Sequence, residues 1–445
     1  MKKQINSLMM AAAAFLGACG ETGNPQDTNP PATTSGECTN GVCVLSGALV
    51  QDLTLTADKK WLLRGGVFVG NDVDPTVLTI EPGTQIYGES STNGMLVVTR
   101  GSKIMAQGTR EKPIVFTSSK SEGARARGDW GGVIINGRAP VNGCSAGTDL
   151  CEAFGEGGTG YYGGTNPDDN SGVIQYVRVE FAGRLISPDN ELNGIAFQGV
   201  GRGTVVDYVQ IHMAKDDCIE FFGGTVDAKH IVCTGIADDN LDWTDGWNGR
   251  LQFMIAQQYE DAGDNGIEGD NNAEDNASSP RSHPVISNVT LLGSPNSDQS
   301  DIGVLLREGT AANISNIIVS GFNEACLDID HTETFTHGIN NNTLTGNLTL
   351  DHSIFHCVTP FIEDADEPVT VATFFNDLND ANSVEDPVLV APDNLVQPNF
   401  APESGSPARL NVAIPNDPFF TQVTFRGGMD PADDWTTGWT VSMRN

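Results

Sequence analysis

The sequence predicts an all-β solenoid, a parallel β-helix with coils of about 22 residues and loop insertions. Three observations carry that expectation. Short β-branched runs recur at a fixed interval, and Val206, Ala228 and Arg250 open three of them 22 residues apart. A second set of strands interleaves with the first, starting at Gly194, Cys218, Asn240, Gly266, Gly303 and Cys326. The chain of 445 residues holds 51 Gly and almost no stretch with helical apolar spacing. A unit of two or three short strands cannot bury an apolar face alone, whereas stacked copies bury a continuous one.

Charge narrows the partners. With 24 Lys+Arg against 58 Asp+Glu, the formal charge is −34. That balance argues against nucleic acid and anionic membrane surfaces and favours divalent cations. Charged residues are only 18% of the total, too few for a disordered polyelectrolyte.

In chain order, "MKKQINSLMMAAAAFLGAC" places Lys2 and Lys3 before an apolar run from Leu8 and small residues before Cys19. This predicts a secretory signal over residues 1–18. The run is too short for a good membrane span. Leu16-Gly17-Ala18-Cys19 resembles the lipobox of bacterial lipoproteins. The resemblance implies cleavage before Cys19, a lipid anchor on Cys19 and, with Gly20 rather than Asp next, outer-membrane sorting with display at the cell surface. An ordinary signal peptide with an incidental cysteine is the alternative. Residues 19–37, rich in Pro, Thr, Ser and Gly, read as a flexible tether.

Beyond the tether the reading divides the chain into N-terminal coils (38–136), a disulfide hairpin with a Gly-rich loop insertion (137–172), central coils (173–360) and a C-terminal coil and cap (361–445). An even number of cysteines follows Cys19, and in an exported chain that reads as disulfides. The cysteines fall into local couples: Cys38–Cys43, Cys144–Cys151, Cys218–Cys233 and Cys326–Cys357. The absence of any Cys-x-x-Cys disfavours thiolate metal sites and redox catalysis.

"SGVIQYVRVEFAG", "DDCIEFFGGTVDAKHIVC", "DDNLDWTDGWNGRLQF" and "FRGGMDPADDWTTGWTV" resemble a family of secreted, often lipidated, pectin-lyase-like bacterial surface proteins. "MLVVTRGSKIMAQGTREKPIVFTSS" and "WGGVIINGRAPVNG" resemble the opening coils of such right-handed parallel β-helices. The resemblance covers roughly residues 40–445 and implies the fold and export; it implies little chemistry.

Asp216-Asp217 is echoed by Asp238-Asp239 one period later. Aligned on the first apolar residue of each interleaved strand, Asp216, Asp238, Asp264, Asp301 and Glu324 share one column, and Glu220, Asp242, Glu268 and Asp328 another. Coils stack about 4.8 Å apart. Like charges at that spacing repel by about 1 kcal/mol per pair in water and about 3–4 at an effective dielectric near 20. Lys215 and Lys229 are too few to offset this. Carboxylates at Asp216, Asp217, Glu220, Asp238, Asp239, Asp242, Asp264 and Glu268 are therefore candidate ligands for a structural Ca²⁺, which favours flexible, oxygen-rich sites outside the cell. Solvated turn residues are the alternative for Asp216, Asp238 and Asp264. The strand acids Glu220, Asp242 and Glu268 have no turn role. A calcium-loop fragment at Asp261…Asn265-Gly266 lacks acids where strong ligands belong.

For chemistry, Arg307 shares a column with Asp270 and Asp330, beside Glu268. β-Helical pectate lyases use Ca²⁺ on coil-face carboxylates plus a basic residue, so the resemblance implies a lyase alternative with Arg307 as that residue; simple ion pairing is the competing reading. The acids are too many to single out the two that a glycoside hydrolase would need. Gly143-Cys144-Ser145-Ala146-Gly147 spells G-x-S-x-G without the strand-to-helix context that gives the motif meaning. His212, His230 and His283 read as surface or core fillers. Tyr161, Tyr162 and Trp247 are candidate exposed aromatics for stacking on sugars, against a plain loop role. The functional expectation is a Ca²⁺-stiffened envelope lipoprotein, a rigid rod for surface structure or for binding a polysaccharide or another surface protein. The alternative is a lyase or hydrolase acting on acidic polysaccharide.

Overall fold

The computed structural model describes residues 38–144, 150–187, 190–365 and 367–442. The signal, Cys19, the tether and Ser145 to Gly147 of the G-x-S-x-G pattern lie outside them. Twenty-six strands join one continuous ladder. Its rungs are parallel apart from the hairpin at Cys38–Thr39 with Val42–Leu49. This is the predicted β-helix.

Two columns of strands dominate. The first runs through Gly132–Asn136, Ile195–Gln198, Ile219–Phe222, Leu241–Thr244, Ile267–Gly269, Ile302–Leu306 and Ala325–Ile329. Ile195 pairs with Ile219, Ile219 with Leu241, Leu241 with Ile267 and Ile267 with Val304, so the acid columns aligned from sequence are true stacks. Alternation along each strand does the sorting: Ile219 and Phe221 are fully buried in the core, and Glu220 between them points the other way. Phe197 stacks on Phe221 at 5.4 Å, and Phe221 on Trp247 at 4.1 Å. Trp243 spreads over Gly269, where a Cβ would lie 2.3 Å from the indole.

The second column holds longer strands, among them Gly172–Glu180, Val205–His212, Asp227–Thr234 and Arg250–Gln257. Each is bent at one residue in the left-handed region: Tyr176 (φ 48°), Tyr208 (55°), His230 (52°) and Phe253 (65°), continued by Asn288 and Asn316. Bulky residues rarely adopt that conformation. Here the rings stack coil on coil, Tyr176–Tyr208 at 4.4 Å, Tyr208–His230 at 4.1 Å and His230–Phe253 at 5.0 Å. The corner therefore carries an external aromatic ladder.

The C-terminal region pairs once more with the ladder, at Ser383–Val384, and forms a hairpin of Leu389–Ala391 with Asn399–Pro402. It then lies along the bent corner as a strap. Gln252 exchanges hydrogen bonds with the Thr421 backbone, Gln210 with Val441, and Asn316 with Ala413. Trp435 and Trp439 cover the aromatic ladder and are 5% and 0% exposed. The four predicted disulfides are all present. Among the described residues no helix is long and apolar enough to cross a membrane.

Candidate metal centre

Three successive site strands, Ile219–Phe222, Leu241–Thr244 and Ile267–Gly269, each enter from a short acidic turn. Asp217 and Asp239 sit two residues before the strand, and Glu220, Asp242 and Glu268 on it. These strand positions face away from the β-helix core. They are largely withdrawn from solvent, in a recess that Glu156 and Glu191 also line. Asp217, Asp239 and Glu220 are 7%, 5% and 8% exposed.

All eight predicted acids line one cavity of about 310 Å³. Two further acids line it, Glu156 from the inserted hairpin and Glu191 from the loop before the strand Ile195–Gln198. Among the described residues, all that line it are carboxylic acids. Sequence periodicity missed Glu156 and Glu191 because both lie on insertions, where no repeat position predicts them. The nearest lysine, Lys215, stands 4.0 Å from Glu191 at the rim.

The cavity holds its acids under electrostatic stress. Burial, then the neighbouring charges of Glu191 and Asp216 respectively, push Asp216 and Asp238 up to about 7. Burial and Asp238 bring Asp264 to about 7. Burial also carries Glu268 to about 7, although Arg307 opposes the rise. Deeper in, burial followed by adjacent carboxylates pushes Asp217, Glu220, Asp239 and Asp242 well above the carboxylate range.

The donors suit a hard divalent cation. Ligand oxygens of Asp217, Glu220 and Asp242 lie within 4.8 Å of one another, as do those of Asp239, Asp242 and Glu268, and of Glu191, Asp216 and Asp238. Carboxylate oxygens without nitrogen or sulfur match Ca²⁺ or Mg²⁺ better than zinc or copper. A cation also replaces carboxylate–carboxylate repulsion with attraction.

A family model described as a pectate-lyase-like β-helix domain matches residues 47–389. The chain belongs to this family. No curated protein and no solved structure matches it.

Within this pectate-lyase-like β-helix, Arg307 is engaged on the same face as the cavity. Its Nε donates to Asp270 Oδ1 at 3.0 Å and its Nη2 to Asp270 Oδ2 at 3.1 Å, and Nη2 also pairs with Glu268. Burial works against its charge, but the Asp270 hydrogen bonds and the charges of Asp270 and Glu268 hold it above the ordinary arginine range. Asp330 follows Arg307 one coil on in the same column, next to the Leu306–Ile329 pair, and its carboxylate groups with Asp364 and Glu367.

Two aromatic expectations are corrected. Trp247 is fully buried, with Nε1 donating to Val226 O at 3.1 Å. Its flanking glycine makes room for the ring, since a Cβ on Gly249 would lie 2.3 Å from Nε1. Tyr162 is 4% exposed, with its hydroxyl on Asp245 Oδ2 at 3.1 Å. Tyr161 alone of the three is exposed. Histidines 212, 230 and 283 are structural: His212 bonds Thr234, His230 bonds Asp207 within the aromatic ladder, and His283 bonds Asn313.

Proposed function

We propose that this protein is a calcium-loaded β-helical rod of the bacterial envelope, held by a lipid on Cys19, that binds acidic polysaccharide or a neighbouring surface component. The observation that carries the reading is the 310 Å³ cavity that, among the described residues, carboxylic acids alone line, from three successive coils and two loops. Cations there stiffen the stack by tying adjacent coils together. Those at the rim, beside Glu191, Asp216 and Asp238, retain coordination positions that a polyuronate carboxylate can fill.

Binding is favoured over cleavage because Arg307, the base of the lyase alternative, is tied to Asp270 and Glu268 and stays protonated. The deciding experiment is thermal melting of the mature protein in EDTA, then with Ca²⁺ or Mg²⁺. A ligand selective for the folded state stabilises it by about 2.7 kcal/mol at a hundredfold excess over Kd. Calcium should raise the melting temperature and magnesium do so weakly, because Mg²⁺ demands a tighter octahedron. A melting curve indifferent to both ions sinks the cation reading. A mature chain without an acylated N-terminal Cys19 sinks the anchor.

A further inference from the structure

Two of the acid groups in the cavity are the same site repeated. Asp217, Glu220 and Asp242 form one; moving each ligand one coil along the ladder gives Asp239, Asp242 and Glu268. The supporting hydrogen bonds repeat with the ligands. The Asp239 N–H donates to Asp217 Oδ1 at 3.1 Å, and the Asn265 N–H donates to Asp239 Oδ1 at 2.7 Å. Each of these aspartates is thereby anchored by one oxygen.

The repeat has defined ends. In the coil before, Asn193 and Ala196 occupy the positions of Asp217 and Glu220; at the other end, Asn265 stands one coil after Asp239 and Leu305 one coil after Glu268. The end asparagines also supply donors: Asn193 Nδ2 bonds Glu220, and Asn265 Nδ2 bonds Glu268 Oε2 at 3.2 Å. The middle carboxylate has no such donor. Asp242 lines the cavity, and its Oδ1 is sealed from solvent without a hydrogen-bond partner. Buried polar atoms left unpaired are uncommon in folded proteins. The position of Asp242 Oδ1, among carboxylates in the cavity wall, points to a ligand with positive charge.

We propose that the cavity holds two divalent cations one coil apart, the first on Asp217, Glu220 and Asp242, the second on Asp239, Asp242 and Glu268, with Asp242 bridging them. The proposal rests on the cation reading of the preceding section and fixes its stoichiometry and architecture. Five carboxylates face two dications, so the inner cluster is close to neutral, and the outer acids are free to take exchangeable ions or a ligand. The cation spacing is the coil rise, about 4.8 Å. The two ions bind interdependently, since each completes the charge balance of a shared ligand.

The test is calcium titration by calorimetry and native mass spectrometry on the folded mature protein, with isosteric variants. Wild type should hold two tight equivalents. Glu220→Gln and Glu268→Gln should each abolish one, and Asp242→Asn should abolish both. Energy transfer between Tb³⁺ and Eu³⁺ bound to wild type, which falls steeply with distance, should show the ions as neighbours without any mutation. A single tight equivalent, an Asp242→Asn variant that loses no more than an end variant, or absence of lanthanide transfer overturns the two-ion row while leaving cation binding intact. No tight calcium at all overturns both.

Discussion

The Asp239 backbone N–H donates to Asp217 Oδ1 across one coil at 3.1 Å. Asp217 thus does two jobs, satisfying a buried donor with one oxygen and lining the cavity with its carboxylate. Substitution separates them. Asp217→Asn keeps an acceptor for the N–H and removes a charge, so in EDTA it should be at least as stable as wild type. It should lose the part of the calcium stabilisation that the ion on Asp217, Glu220 and Asp242 confers. Asp217→Ala leaves the N–H unpaired and should be less stable than the Asn variant by about 1–3 kcal/mol in EDTA. Equal denaturation midpoints for the two variants in EDTA would mean that the hydrogen bond contributes nothing.

The acids also set a pH dependence, and its sign is the reverse of an ordinary salt-bridged protein. In an unfolded chain carboxylates titrate near about 4. In the fold Asp216, Asp238, Asp264 and Glu268 titrate at about 7. The folded state therefore binds more protons between these limits, and stability is greatest below the unfolded value and falls as pH rises through the folded one. Without calcium, the melting temperature should drop from about pH 5 to about pH 7.5. Calcium competes with those protons, so the stabilisation it adds should grow over the same interval. A metal-free melting temperature that rises across this range contradicts the reading.

The columns of acids were legible in sequence because a solenoid has a nearly constant period: aligning Ile195, Ile219, Leu241, Ile267 and Val304 reproduced the strand register residue for residue. The enclosure of those acids was not legible. It depends on Glu156 and Glu191, which arrive on insertions outside the period. The corner residues Tyr176, Tyr208, His230 and Phe253 were hidden for another reason, since nothing local marks an aromatic residue for left-handed backbone. Stacking across coils and the cover of Trp435 and Trp439 hold them there. Trp247 misled for a related reason, because Gly249, which reads as part of an open turn, instead makes space for its ring.

Arg307 bears on the choice between binding and cleavage. Arg307→Ala should leave Glu268 and Asp270 facing each other without a counter-charge and lower stability, by up to about 3–5 kcal/mol for loss of one partner of a buried ion pair. Its side chain is 32% exposed, so solvent screening should keep the loss nearer the low end. Calcium should recover part of this loss. Polyuronate incubated with wild type should show no rise in ultraviolet absorbance from unsaturated ends. A rise that disappears in Arg307→Ala would establish the lyase instead.

The disulfide Cys218–Cys233 joins the acidic turn to the strand Asp227–Thr234 across one coil, with a Cα separation of 5.9 Å. Cys218 lies between Asp217 and Ile219, so the crosslink fixes the backbone that presents Asp217 and Glu220 to the cavity. Closing a loop of this size stabilises a fold by about 3 kcal/mol. Cys326–Cys357 closes a longer loop, 31 residues, and Cys326 lies on Ala325–Ile329, two strands beyond the strand of Glu268 in the site column. The pair provides an internal control. Replacing either couple by Ala should lower stability by about 2–4 kcal/mol. Loss of Cys218–Cys233 should in addition weaken calcium binding, because the ligands lose their fixed backbone and must be ordered when the ion arrives. Loss of Cys326–Cys357 should leave calcium affinity at the cavity unchanged. Parallel denaturation and calcium titration of the two double variants decide the matter: equal affinities would show that Cys218–Cys233 contributes to the fold alone, and equal losses would show that the cavity depends on the whole stack rather than on its own coil.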